Sequence, residues 1–197
     1  MYLPAETVSV SVAPAVEPVS LNEAKDHLRV SVDEDDALIQ RLIRTARRHT
    51  ERTLSFRALI TQTLVGGLPN WPHDGVIRLP YPPLQSVTSI AYVDTAGNSA
   101  NVDSAVYGVD TKLDLIYLNY NQTWPTVSLR PYDPITITWV AGQGDSGSDV
   151  DDEYKATILL LVGHLYENRE AVVLGQGVTQ TVLAQAVDAL GLGNRAY

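Results

Sequence analysis

Gly142, Gly144 and Gly147 fall in the G-x-G-x-x-G spacing that lets a bare backbone approach a pyrophosphate. Glu167, twenty residues after Gly147, stands where a ribose-binding acid would. The chemistry fails on charge. A pyrophosphate needs the free, positive N-terminus of a helix reached from a parallel strand. Here Asp145, Asp149, Asp151, Asp152 and Glu153 crowd that position and would repel it. The stretch reads instead as a flexible acidic loop leading into a capped helix. Calcium fails as well, because an EF-hand loop counted from Asp145 needs a bidentate acid where Ala156 stands. His27, His49, His73 and His164 lie in different elements and form no HxxxH pair. With no cysteine there is no thiolate ligand, disulfide or cysteine nucleophile. No P-loop or nucleophile elbow occurs. The residues predict no catalytic group, no cofactor and no metal.

Two other sets could bind without doing chemistry. Trp71, Trp124 and Trp139 could line a sugar, but aromatics at 7% are not in excess and fit a sheet core. Arg41, Arg44, Arg48 and Arg52 recur at spacings of three, four and four, which puts them along one helix face. They are the candidate interface. A guanidinium fork suits a partner's carboxylates because it meets them in a fixed, bidentate geometry.

The elements that must position these residues are legible from periodicity. Ser20-x-x-Glu23 has the form of a capping box, and Leu21, Ala24 and Leu28 then share a face. Ser31-x-x-Glu34 repeats the signal before Leu38, Ile39, Leu42, Ile43, Ala46, Thr50 and Thr53, a buried stripe opposite the arginines. That helix ends near 54–57. From Ala58 the period changes to two, with strands over 61–65, 76–79, 87–93, 113–118 and 135–140, broken by prolines. With no helices for crossovers, they pair antiparallel. A third helix over 152–170 carries the run Ile158–Val162, apolar all round and so predicted central and buried, with Gly163 allowing close approach. A weaker helical stretch covers 182–190.

At 197 residues the chain can bury a real core, and 45% hydrophobic with 19% charged residues fits a globular protein. The net charge of −9 argues against a general nucleic-acid binder. The charge is uneven: six of the fourteen basic residues fall between Arg41 and Arg57. The start lacks the basic and apolar regions of a secretory signal, and the longest apolar run is half a membrane span, so no membrane is expected.

The expected fold class is therefore α+β, a small helical core with an inserted antiparallel β subdomain and extended termini. Residues 1–18 form an extended N-terminal arm with little to pack, and 19–57 plus 149–170 form the helical core. The β-rich insertion is 58–148, and 171–197 is a C-terminal tail with weak helix.

Ordered phrases then carry a resemblance. They are PVSLNEAKDHLR at 18–29, the stretch 33–42 followed by RALITQT at 57–63, LPYPPLQSVTSI at 79–90, and VGHLYENRE at 162–170. In that order they resemble the phage head–tail connector, or adaptor, protein family. The resemblance implies a structural, non-enzymatic protein of a tailed phage. It would form a ring, typically a dodecamer, with neighbouring adaptor copies beneath the portal protein. It would bind a stopper or other tail-side neck protein on its far side and extend the DNA channel without gripping DNA. The implied location is the virion neck, after assembly in the host cytoplasm. The residues 171–197 depart from the short, proline-containing finish of such proteins. Another neck or tail-completion protein, or a carbohydrate-binding β module using the tryptophans, are the alternative readings.

Overall fold

The computed structural model describes residues 1–54 and 56–168. The chain is α+β, with three α-helices and eight strands among these residues, and it divides into two compact units. One holds Met1–Ala15 and Thr61–Gln143; the other holds Val16–Ile60 and the described chain from Gly144.

The helical unit is built by caps and apolar stripes. Helix α1 (Leu21–Leu28) starts on a complete capping box. The Ser20 hydroxyl accepts from the Glu23 N–H at 3.2 Å, and the Glu23 carboxylate accepts from the Ser20 N–H at 2.7 Å. The second expected box does not form. Helix α2 (Asp36–His49) begins later, with Asp35 at its N-cap and no side chain capping it. The acids around its start have other partners. Lys25 of α1 binds Asp33 and Asp36 at 2.7 Å each, and the Tyr166 hydroxyl donates to Asp35. Helix α2 continues through a π-helical turn at Thr50–Leu54.

Helix α3 (Asp152–Glu167) buries Tyr154, Thr157, Ile158, Leu161 and Val162. They pack with Val19, Ala24, Ile39, Ile43, Ala46, Leu59 and Ile60 in one core. The helix is not buried all round, as its sequence predicts: Leu160 is 47% exposed. Among the described residues, α1 and α2 pack on α3 and leave the Leu160 side exposed. A Cβ added to Gly163 would meet His27 only at ordinary contact distance, so no close approach requires this glycine. The stretch 182–190 and the tail 171–197 lie outside the described residues. Among the described residues no helix is long and apolar enough to cross a membrane.

The sheet unit contains five antiparallel strands in the order β1-β2-β8-β4-β5 and three in the order β3-β7-β6. These are β1 (Ser9–Val12), β2 (Gln62–Leu68), β3 (Val76–Arg78), β4 (Leu84–Val93), β5 (Ser99–Asn101), β6 (Tyr107–Asp110), β7 (Leu115–Leu118) and β8 (Ile135–Ala141). In β2 and β8 alternate residues are buried, as period two requires, so Leu64 and Leu68 face inward with Ile135, Ile137 and Trp139. β1, β5 and β6 are not among the expected strands, although Ser9–Val12 alternates serine and valine. They have three or four residues each, and β5 is exposed throughout.

The arm has more to pack against than its sequence suggests. Ser9–Val12 pairs with β2. Met1 and Leu3 hydrogen-bond Arg78 of β3 at 2.9 and 3.0 Å, and Leu3 is 3% exposed.

Candidate functional site

Helix α2 presents two faces of opposite character. Ile39, Ile43 and Ala46 point into the helical core, while Arg41, Arg44, Arg48 and Arg52 are all exposed. The sequence-predicted stripe is thus one continuous surface. None of its four guanidinium groups has a side-chain partner among the described residues. Arg44, Arg48 and Arg52 follow one another at i,i+4, so each repels the next by a few tenths of a kcal/mol. The isolated helix carries that cost with no compensating acid on the same face. Chemically, the row is suited to carboxylates brought by another surface.

Arg47 belongs to a different structure, which sequence reasoning missed. It is buried, with Glu17 at 2.7 Å and Glu51 at 2.6 Å. Glu51 also accepts the Leu59 backbone N–H at 3.0 Å. Burial pushes the Glu51 carboxyl above its ordinary range, opposed by Arg47 and the Leu59 N–H. The Arg47/Glu51 spacing of four was the available signal. It was hidden inside a run of exposed arginines. The network ties the segment entering α1, the end of α2 and the chain leading to the sheet.

The other residue sets do not converge on chemistry. The glycines at 142, 144 and 147 lie in an ordered turn rather than the expected flexible linker. Ile60 bridges Gly144, and a short 3-10 turn spans Gly147–Asp149. The Asp149 carboxylate accepts the Ser146 N–H at 2.9 Å, taking the donor a phosphate would need. A side chain on Gly147 would meet the Pro18 carbonyl at 2.7 Å, so close backbone approach accounts for this glycine. Among the described residues no group of three histidines or acids could hold a metal. A groove beside β2, lined by Thr7, Ser9, Tyr132, Asp133 and Thr136, offers one carboxylate and hydroxyls but no second acid or base.

Trp71 and Trp124 stack at 4.9 Å with Tyr92 edge-on to Trp71. Trp124 is 7% exposed and Trp139 fully buried, so the tryptophans pack the sheet unit.

The α+β chain resembles known proteins in both sequence and fold. Residues 18–113, 96 of the 197 residues, match the family model described as phage gp6-like head-tail connector protein. The same fold occurs in a chain from the neck of an empty gene transfer agent particle, computed with six-fold symmetry. It has 22% identity and a TM-score of 0.75, over 96% of this chain and 97% of that one. A chain from the neck of a native particle, computed with twelve-fold symmetry, has 23% identity, a TM-score of 0.70 and the same coverage. A chain from the virion of the native gene transfer agent particle has 21% identity and a TM-score of 0.73, again over 96% and 97%. No curated protein matches the chain in sequence.

Proposed function

We propose that the protein is a structural, non-catalytic head–tail adaptor, one of several copies in a ring within the neck of a phage-like particle. The observation that carries this reading is the connector-family match over residues 18–113. Its support is a fold shared along 96% of the chain with chains from particle necks computed with six-fold and twelve-fold symmetry. The finer reading is a ring, typically of twelve copies, seated under a portal protein and capped by a stopper or tail-side neck protein. It is assembled in the host cytoplasm and extends the channel through which DNA passes. The arginines 41, 44, 48 and 52 form an assembly interface in this reading.

A carbohydrate-binding module has no comparable support, because the tryptophans that would form its platform are occupied in packing.

The test is cosedimentation of the purified chain with portal rings from its own particle, imaged by electron microscopy. The expected result is a ring added to one end of the portal. A chain that binds neither the portal nor any other neck protein is not an adaptor.

A further inference from the structure

The open face of α3 supplies what the arginine face of α2 lacks. Glu153, Leu160 and Glu167 recur every seven residues and therefore share one side of the helix. Glu153 and Glu167 are exposed, Leu160 is 47% exposed, and Ala156 between them is exposed and small. Among the described residues neither glutamate has a side-chain partner; the α3 ion pair there is Lys155 with Asp152. This face is a leucine flanked by two carboxylates, spanning roughly 21 Å at the rise of an α-helix. The row from Arg41 to Arg52 spans roughly 16 Å at the same rise. One face is cationic and unpaired; the other is anionic with an apolar centre.

We infer that the Glu153/Leu160/Glu167 face of one copy docks against the Arg41/Arg44/Arg48 face of the next. The occupant is a second copy of this chain because both charges are carried on the same unit, on different helices. A contact between two different patches of identical chains is head-to-tail, and such contacts close into rings when the rotation permits. The pairing would relieve the arginine–arginine repulsion along α2 and cover Leu160, the large apolar side chain that α3 leaves in water. The guanidinium alkyl stems supply apolar surface for that leucine while their forks reach the flanking carboxylates. This inference rests on the adaptor reading and names the surfaces that would join its copies.

The chain has no cysteine, so single thiols can be placed without interference. Arg48→Cys and Leu160→Cys chains, each full length, are mixed at high concentration and treated with a short bis-maleimide. Strong cross-linked dimer is expected in the mixture and near-background dimer with either chain alone. Adding Glu153→Lys and Glu167→Lys to the Leu160→Cys chain should cut the dimer at least tenfold. Adding Arg41→Glu and Arg44→Glu to its Arg48→Cys partner should restore it. Each variant's melting curve should match the parent, since all substituted positions are exposed. Absence of the mixed cross-link, equal cross-linking in the single-variant samples, or a dimer indifferent to charge reversal would each overturn the pairing. Portal cosedimentation of the same reversed chains separates the two readings. Complete rings on portal despite the reversal leave the adaptor standing and the pairing wrong, whereas an unmodified chain that ignores portal removes the adaptor itself.

Discussion

Arg47 and Glu51 lie one helical turn apart at the end of α2 and are joined at 2.6 Å, with 4% and 6% of their side chains exposed. Removing one member leaves the other charged and desolvated, which costs far more than an exposed pair is worth. Glu51→Ala should destabilise the protein by about 3–5 kcal/mol. Replacing both residues with apolar ones of similar size should cost less than the sum of the single changes. Urea unfolding of the three variants checks this. A loss under about 1 kcal/mol for Glu51→Ala would place the pair in water, contrary to its burial.

Stability should respond to pH through two glutamates of opposite sign. The Ser20 hydroxyl, and then its backbone N–H, hold the Glu23 carboxyl below its ordinary value of 4.5. Its contribution is therefore present above that value and lost as pH falls through the lowered one. Glu51 is raised above 4.5 by burial, so its contribution is complete below 4.5 and lost as pH rises through the raised value. Melts from about pH 3 to pH 8 separate the two. The deficit of Glu23→Gln should vanish in acid. That of Glu51→Gln should be largest in acid and shrink toward neutrality. Parallel profiles would show that neither shift exists.

Leu3 reports whether the N-terminal arm belongs to its own chain. Its side chain is 3% exposed, and a Cβ added to Gly66 would strike it. Leu3→Ala should cost about 2–5 kcal/mol in the unassembled protein, the range for truncating a buried leucine. An arm that is ordered only by a neighbour would show no loss in the monomer, and the cost would emerge on assembly.

Assembled rings should not hold DNA. The stretch Arg41–Arg57 contains six of the fourteen basic residues and one of the 23 acidic ones, so the rest of the chain has eight against 22. With the arginine face covered by a neighbour, the remaining surface repels phosphate. Electrophoretic shift of duplex DNA by portal-bound rings should equal that of portal alone at physiological ionic strength. Added binding that disappears between about 50 and 200 mM salt would instead put basic residues in the channel.

Much of this molecule was written locally. The capping box at Ser20 and Glu23 is a four-residue device, so its presence in the sequence predicts its geometry. Period two located β2, β3, β4, β7 and β8 within a few residues, because alternate burial is a property of one strand. The outward arginine row followed from the helical period alone. The same local logic failed at Ser31 and Glu34. The helix there starts later, at Asp36, where Lys25 of another helix binds Asp33 and Asp36, partners that no spacing rule connects.

Tertiary structure decided whatever depends on residues distant in the chain. Sequence separates charged from apolar positions, and that was enough to give the class of fold and the exposed face of α2. It could not single out Arg47 from its five arginine neighbours in the stretch 41–57. Burial there is set by Glu17, thirty positions earlier, and by a backbone N–H at Leu59. Nor could it show Leu160 in water, because an apolar run states only that burial is favourable. How many sides of a helix are covered depends on how many elements pack against it, and among the described residues α1 and α2 leave the Leu160 side of α3 exposed.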